Sequence, residues 1–249
     1  MIPKVIHYCW FGGKELTSLA KKCIESWRKF FPDYEIRCWN ESNFDVNKIP
    51  YTAEAYAQRK YAFVSDYARF WILYNYGGIY FDTDVKVLKQ MSHIINKGEF
   101  MARENCEYSK NTGVAPGLGL AMKKGSPVLR DLLDIYESMG FINPDIDPQG
   151  KTIVDIASEY FENKGLKYEQ TVQQVAGITI YPEDYFCPLK AVTGHKEFTN
   201  NTVAIHLYSG SWTTKSNRLK GKIKRLVGQK ISLFLINLKS YLKGNGKKF

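Results

Sequence analysis

The stretch that decides the fold is residues 77–85, Gly-Gly-Ile-Tyr-Phe-Asp-Thr-Asp-Val. Its two glycines are a typical end of a helix, and the three apolar residues that follow predict a short buried strand. Two carboxylates, Asp82 and Asp84, come directly after that strand. Ligands of α/β sheets bind beyond the carboxyl ends of the strands. This pair is therefore placed to hold a hard divalent cation, with diphosphate oxygens completing the coordination shell.

Upstream of this stretch, predicted strands alternate with predicted helices. The helix that begins at Thr17 or Ser18 has apolar residues at helical spacing, and a longer helix ends at Gly77-Gly78. The predicted strands are residues 3–10, 34–39 and 79–81, and the predicted helices are residues 17–30 and 53–75. This β–α–β–α–β order favours an α/β fold with a mostly parallel sheet.

The pattern is looser after residue 90. Strands are predicted at 99–103, 117–122, 178–181 and 203–207, and helices at 126–139 and 152–163. The composition changes sharply only near residue 215. We therefore predict one domain over residues 1–214 and a separate tail over residues 215–249.

Three further features support a ligand site, although each has a structural alternative. Asp66 and Arg69 lie three residues apart on the predicted helix, where they can either present an acceptor and a forked donor to a ligand or form a surface ion pair. Trp10 ends the first strand, where it can stack on a nucleotide base or simply pack in the core. His206 ends a late apolar strand, as a third metal ligand or as a structural histidine.

Taken together, these motifs resemble the family of DXD-containing glycosyltransferases. This family includes bacterial capsule and O-antigen transferases, fungal initiating mannosyltransferases and, more distantly, the glucosylating domains of large clostridial toxins. The resemblance covers about residues 1–214. The motifs that carry it are Ile2-Pro3-Lys4-Val5-Ile6-His7 with Trp10, Ala62 to Arg69, residues 77–85, and Ile205-His206 with Gly210-Ser211-Trp212.

The resemblance implies a GT-A fold, in which a Rossmann-like mixed sheet that binds a nucleotide sugar is flanked by helices. It also implies retaining stereochemistry and a Mn²⁺ or Mg²⁺ ion. By motif position, Trp10 stacks on the base, Asp66 and Arg69 hold the donor sugar, and Ser211 and Trp212 contact the diphosphate. Asp82 contacts the ribose and the sugar, Asp84 binds the metal, and His206 is a further metal ligand. Tyr80, in the same motif, is counted with the donor-binding residues.

Two regions of the chain depart from this scheme or lie outside its motifs. The family usually has Gly-Pro before a later Thr, whereas this chain has Pro148-Gln149-Gly150-Lys151-Thr152. We therefore infer no acceptor-binding residue from this stretch. Glu104 and Asn105 follow the predicted strand at 99–103 and are candidates for residues near the reacting centre. No general base is assigned, since retaining transferases often have no obvious enzymatic nucleophile.

The net charge of +10 is concentrated in the tail. Residues 215–249 contain 11 Lys and Arg and no Asp or Glu, while the rest has 24 basic and 25 acidic residues. Within 222–243, apolar residues recur at helical spacing among these lysines. A basic amphipathic helix suits an anionic membrane surface, although such a helix can also dock on its own domain. Nucleic-acid binding is not expected, because the chain has no recognisable reading motif.

The expected compartment rests on the cysteine pattern and on the first residues of the chain. The five cysteines form no CxxC pair, which fits a reducing compartment. The first residues, MIPKVIHYCWFGG, are too short and too polar for a signal peptide. We therefore expect a cytoplasmic protein, peripheral on the inner face of the cell membrane.

The predicted function is transfer of a hexose or N-acetylhexosamine from a nucleotide sugar, with UDP-sugars favoured, to a glycan or lipid-linked oligosaccharide acceptor in surface polysaccharide synthesis. One alternative is a non-catalytic module that binds nucleotide sugar or glycan. A DxD-type phosphohydrolase is a second alternative, but no acidic residue follows Glu197 to complete its Mg²⁺ site.

Overall fold

A computed structural model describes residues 1–104, 113–143, 146–147, 149–190 and 194–209, together with the two tail positions 231 and 234. The helices of this part are α1 (Ser18–Phe30), α2 (Pro50–Ala57), α3 (Tyr61–Tyr76), α4 (Ser92–Ile95), α5 (Pro127–Glu137), α6 (Ile153–Asn163) and α7 (Glu183–Phe186). The strands are β1 (Val5–Cys9), β2 (Glu35–Trp39), β3 (Gly78–Tyr80), β4 (Val85–Val87), β5 (Phe100–Ala102), β6 (Leu120–Met122), β7 (Gln173–Val175), β8 (Ile178–Tyr181) and β9 (Ala204–His206).

Seven strands form one mixed sheet in the order β2-β1-β3-β6-β5-β8-β7. Strand β1 pairs in parallel with β2 and β3, whereas β6 is antiparallel to both β3 and β5. Strand β8 is parallel to β5 and antiparallel to β7. Strands β1, β2, β3, β5 and β8 therefore run in one direction, and their carboxyl ends share one edge of the sheet.

Both faces of this sheet are covered, because neighbouring strand residues point to opposite sides. In β3, Ile79 packs with α1 on one face, and Tyr80 packs with α3 on the other. The α1 side also holds Trp27, which is fully buried and donates its indole N–H to the Val85 carbonyl at 2.8 Å. The α/β class with a mixed sheet flanked by helices, predicted from the sequence, is confirmed.

A separate two-stranded ribbon lies beside the main sheet and joins distant parts of the chain. Strand β4 pairs antiparallel with β9, with Val85 opposite His206 and Val87 opposite Ala204. Because β4 begins directly after Asp84, this register brings the end of β9 next to the second carboxylate of the 82–84 triplet.

Most predicted elements occur within a few residues of their expected bounds, and Thr17 caps α1 by accepting a hydrogen bond from the Ala20 N–H at 3.1 Å. The single helix predicted over 53–75 is wrong, because the chain forms α2 and α3 with a break between them. At the break Arg59 has a φ of 57°, a left-handed conformation that a continuous helix does not contain. The short elements β4, β7, α4 and α7 were not predicted, since three or four residues show no periodicity.

The predicted tail of residues 215–249, with its helical pattern over 222–243, lies outside the described residues, except for Ile231 and Phe234. These two positions are helical. None of the helices in the described ranges has the length and apolar character needed to cross a membrane.

Candidate active site

Asp82 lies two residues beyond the end of β3 and is held by a network from the preceding helix. The guanidinium of Arg69 contacts both of its carboxylate oxygens, with Nη1 3.3 Å from Oδ2 and Nη2 3.2 Å from Oδ1. The hydroxyl of Tyr80 donates to the same carboxylate at 3.3 Å. The side chain of Asp82 nevertheless remains 32% exposed, so the fixed carboxylate is still accessible to a ligand.

The same guanidinium also binds Asp66, which makes Arg69 the centre of a three-residue cluster. Its Nη2 lies 2.9 Å from Asp66 Oδ1, and its Nε–H donates to the Ser65 carbonyl at 3.1 Å. The pair is buried, with side-chain exposures of 4% for Arg69 and 9% for Asp66. The surface ion pair considered as the structural alternative is therefore excluded.

The electrostatics of this cluster follow from its burial. Burial raises the pKa of Asp66 to about 7, although the positive charge of Arg69 opposes the rise. Burial by itself lowers the pKa of Arg69, because it disfavours the charged guanidinium. The negative charge of Asp82, with smaller contributions that include Asp66, has the larger effect and raises this pKa above its usual range. The ring of Tyr80 lies 4.8 Å from the guanidinium carbon and adds a cation–π contact.

Asp84, the second carboxylate of the triplet, is held by different partners. Its Oδ1 lies 3.1 Å from His206 Nε2, and its Oδ2 accepts a hydrogen bond from the Ser209 backbone N–H at 2.8 Å. Burial favours the neutral acid, yet the charge and hydrogen bond of His206 lower the pKa of Asp84 below its usual range. Conversely, burial lowers the pKa of His206, but Asp84 outweighs that effect and raises it.

Segment 206–209 curls around Asp84 from the end of β9. The Leu207 N–H donates to the Asp84 carbonyl at 2.9 Å, and the ring of Tyr208 packs against that of His206, with centroids 4.2 Å apart and planes tilted by 46°. Tyr208 adopts a φ of 47°, which is uncommon for an aromatic residue. This conformation lets the next residue, Ser209, direct its N–H back toward the carboxylate.

Gly117 packs directly against the Asp82 carboxylate and forms the backbone floor of the site, a role that the sequence alone did not reveal. Its carbonyl accepts the Asp82 N–H at 2.9 Å. A Cβ atom at Gly117 would collide with the Asp82 carboxylate and would lie 2.8 Å from Arg69 Nη1. The missing side chain at this position is therefore what allows the ion pair to form.

The other predicted site residues are distributed as follows. Trp10 comes directly after β1 at the same edge as Asp82, is half-buried, and donates its indole N–H to the Lys14 carbonyl at 2.6 Å. Glu104 comes after β5 at that edge. Asn105, Ser211 and Trp212 lie outside the described residues, as does Pro148. Thr152 of the departing stretch caps α6 by accepting the Asp155 N–H at 3.3 Å.

The residues at this edge fit a divalent metal bound together with a ligand. In the described part of the chain, no group of three His, Cys, Asp or Glu side chains is arranged to hold a metal by itself. Asp84 has carboxylate oxygens and His206 an imidazole nitrogen, which are ligand types that such ions accept, and His206 Nδ1 is buried without a hydrogen-bond partner among the described residues. Oxygens of a bound diphosphate suit the remaining positions of a Mn²⁺ or Mg²⁺ ion.

The fold and the site together define an α/β protein with paired carboxylates at the ligand-binding edge of its sheet. Residues 17–101 match the family described as "Glycosyltransferase sugar-binding region containing DXD motif". This stretch includes Asp66, Arg69, Asp82 and Asp84. Residues 17–101 are thus similar to the sugar-binding region of the DXD-containing glycosyltransferases, and the resemblance predicted from the sequence is confirmed.

Similar proteins carry related names. Inositol phosphoceramide mannosyltransferase 3 of Schizosaccharomyces pombe is 27% identical over 135 residues, which is 51% of this chain and 35% of the relative. An uncharacterized glycosyltransferase of Acanthamoeba polyphaga mimivirus is 34% identical over 106 residues, 40% of this chain and 42% of the relative. The matches thus span only about a third to two fifths of the length of these curated relatives.

Among solved structures, the PaToxG glycosyltransferase is similar with a TM-score of 0.47 and 23% identity, over 63% of this chain and 66% of that one.

Proposed function

We propose that this protein is a retaining glycosyltransferase that moves a hexose or N-acetylhexosamine from a nucleotide sugar, preferably a UDP-sugar, to a glycan acceptor. The observation that carries the proposal is the buried Asp66–Arg69–Asp82 cluster, which presents an accessible carboxylate at the ligand-binding edge of the sheet. The family match over residues 17–101 supports the same activity.

In this proposal each side chain of the cluster has a separate task. Asp82 accepts hydrogen bonds from the donor's hydroxyl groups, since its side chain is the most exposed of the three side chains in the cluster. Arg69 uses most of its N–H groups on Asp66, Asp82 and the Ser65 carbonyl. We therefore assign Arg69 mainly to orienting Asp82, with Asp66 behind it. Trp10 stacks on the base, while Ser211 and Trp212 contact the diphosphate.

Asp84 and His206 are the proposed protein ligands for a Mn²⁺ or Mg²⁺ ion, with Asp82 nearby. The bound ion supplies Lewis-acid stabilisation of the charge that develops on the leaving diphosphate. The protein's own contribution is to hold the Asp84 carboxylate in its charged form. The Ser209 N–H, which donates to Asp84 Oδ2 at 2.8 Å, favours that charged form.

The test is a donor-hydrolysis panel. Purified protein with Mn²⁺ is offered several UDP- and GDP-sugars, and the released nucleoside diphosphate is counted. We expect release from one donor, abolished by EDTA and reduced at least about a hundredfold in Asp84→Ala. Asp33→Ala is the matched control, because Asp33 is a surface aspartate with 77% side-chain exposure.

The other outcomes separate the alternatives. Binding of a UDP-sugar by calorimetry without release in the presence of varied sugar acceptors would favour a non-catalytic module. Neither binding nor release would overturn the assignment of the 82–84 site. Release of inorganic phosphate from simple phosphate esters would favour a phosphohydrolase.

We also propose that residues 215–249 attach the enzyme to the inner face of the cell membrane, near a lipid-linked acceptor. The 11 basic residues of this segment are unopposed by acidic ones. Ile231 and Phe234, both in the predicted apolar stripe, are helical and expose 55% and 65% of their surface. Exposed apolar residues among lysines suit the boundary of an anionic bilayer.

Vesicle sedimentation tests this attachment with the full chain. We expect the protein to bind vesicles that contain phosphatidylserine and to be released at high salt. Ile231→Ser with Phe234→Ser should weaken binding, whereas Phe198→Ser, a change of an apolar residue that is also 55% exposed, should not. Equal binding to neutral and anionic vesicles, or none to either, would contradict the proposal.

A further inference from the structure

Glu104 occupies the same place relative to its strand as Asp82 does. Asp82 follows the last residue of β3 by two positions, and Glu104 follows the last residue of β5 by two positions. Strands β3 and β5 run in the same direction, separated by the antiparallel β6. The two carboxylates therefore leave the same edge of the sheet, two strand positions apart.

The chain that leads into β6 joins these two positions. The Glu104 N–H donates to the Gly113 carbonyl at 2.8 Å, and the Asp82 N–H donates to the Gly117 carbonyl at 2.9 Å. Neither glycine has room for a side chain, because a Cβ at Gly113 would collide with Val154 and one at Gly117 would collide with Asp82. The floor between the two carboxylates therefore has glycines at both ends.

Glu104 is partly buried, and within the ranges that the structure describes its carboxylate has no hydrogen-bond or ion-pair partner. Burial raises its pKa, opposed by the nearby charge of His206 and reinforced by that of Asp155. A partly buried carboxylate without a protein partner keeps its acceptor sites open to the hydroxyl groups of a ligand. The charges that act on Glu104 therefore come from His206, the partner of Asp84, and from Asp155 in the first turn of α6.

We propose that Glu104 binds the acceptor, accepting a hydrogen bond from a hydroxyl group of an incoming saccharide at the far end of the glycine floor from Asp82. This inference rests on the proposed function, since it divides one transferase site into a donor side and an acceptor side. The ligand class is a polyhydroxylated sugar, whose O–H groups supply the donors that the carboxylate lacks.

The experiment compares the wild type, Glu104→Gln and Glu99→Gln. Glu99 precedes the same strand at its opposite end and is the matched control, because its Oε1 only accepts the Lys123 N–H at 3.1 Å. Binding of UDP with Mg²⁺ is measured by calorimetry. Binding of glucose, galactose, mannose, N-acetylglucosamine and their p-nitrophenyl glycosides to the Mg²⁺·UDP complex is then measured by saturation-transfer NMR.

We expect Glu104→Gln to weaken saccharide binding at least about tenfold, as loss of a hydrogen bond to a charged group does. Its affinity for Mg²⁺·UDP should stay within about twofold of the wild type. The thermal midpoint of Glu104→Gln should be unchanged or higher, because a partly buried charge without a protein partner is removed. Glu99→Gln should match the wild type in all three measurements.

Four results would overturn the proposal. Equal saccharide affinity in Glu104→Gln and the wild type would do so, as would a wild type that binds Mg²⁺·UDP but none of the saccharides. A loss of Mg²⁺·UDP affinity in Glu104→Gln would instead make Glu104 a donor-side or metal-site residue. If the wild type binds no Mg²⁺·UDP, the proposed function itself fails and this inference falls with it.

Discussion

Asp82 and Asp84 are separated by one residue, yet they are held by opposite kinds of structure. Asp82 is fixed by side chains of α3 and β3, all from the preceding 17 residues. Asp84 is fixed by His206 and Ser209, which lie more than 120 residues later in the sequence. The first carboxylate therefore has a local, buried scaffold, and the second depends on a distant segment curled over it.

This difference separates the interactions that stabilise the fold from those that position a metal ligand. The Asp82 scaffold belongs to the central core, where removing one charge leaves others buried without a partner. The Asp84 contacts come from the end of a three-residue strand and from the left-handed turn at Tyr208 that follows it. We expect changes on the Asp82 side to affect stability, and changes on the Asp84 side to affect metal binding.

The largest expected effect is on the Asp82 side. Replacing Arg69 with Met should lower the free energy of unfolding by about 3–5 kcal/mol, because Asp66 and Asp82 lose their shared cation. The measurement is urea denaturation at neutral pH. Arg130→Met is the control, since Arg130 is 37% exposed with surface partners and should cost about 1 kcal/mol or less.

If Arg69→Met lowers the free energy of unfolding by less than about 1 kcal/mol, Arg69 contributes no more to stability than a surface arginine. That result would contradict the structural role assigned to the Asp82 side.

The second effect is a loss of stability in acid that comes from His7, which supports β3 from the neighbouring strand. Its Nδ1 accepts the Trp39 indole N–H at 3.0 Å, so its Nε2 carries the proton and donates to the Gly77 carbonyl at 2.9 Å. Burial lowers the pKa of His7 from 6.5 to about 4. The folded protein therefore resists protonating a ring that the unfolded chain protonates readily.

The direction of this change with pH follows from the protons bound by the folded and unfolded chains. Below pH 6.5 the unfolded chain protonates His7, whereas the folded chain does so only near pH 4. The contribution of neutral His7 to the free energy of unfolding is therefore fully present above pH 6.5 and is lost as the pH falls toward 4. The loss amounts to about 3 kcal/mol between pH 7 and 4. The difference in unfolding free energy between the wild type and His7→Gln should shrink by that amount over this range. His93→Gln, at an exposed histidine, should show no such change, and a pH-independent difference for His7→Gln would contradict the prediction.

The sequence predicts the Asp82 side better than the Asp84 side for a physical reason. Asp66, Arg69, Tyr80 and Asp82 lie on consecutive elements, where helical spacing and the strand end already place them together. Gly117 was missed, because its contribution is a carbonyl and an absent side chain. The clamp of Ser209 on Asp84 was also missed, since it uses a backbone N–H in a turn. His206 was found only through a motif resemblance, and its contact with Asp84 depends on the β4–β9 register, which no local pattern encodes.

The third and smallest effect is on the Asp84 side and completes the comparison. His206→Gln keeps a donor that can reach Asp84, so the free energy of unfolding should change by about 1 kcal/mol or less. Loss of the imidazole should weaken Mn²⁺ binding to the UDP complex about 10- to 100-fold, measured by calorimetry. His195→Gln, at an exposed histidine, is the control and should leave the affinity unchanged. If His206→Gln instead destabilises the fold as strongly as Arg69→Met and leaves Mn²⁺ affinity intact, the two carboxylates share one structural role, and the division between a fixed Asp82 and an exchangeable Asp84 is wrong.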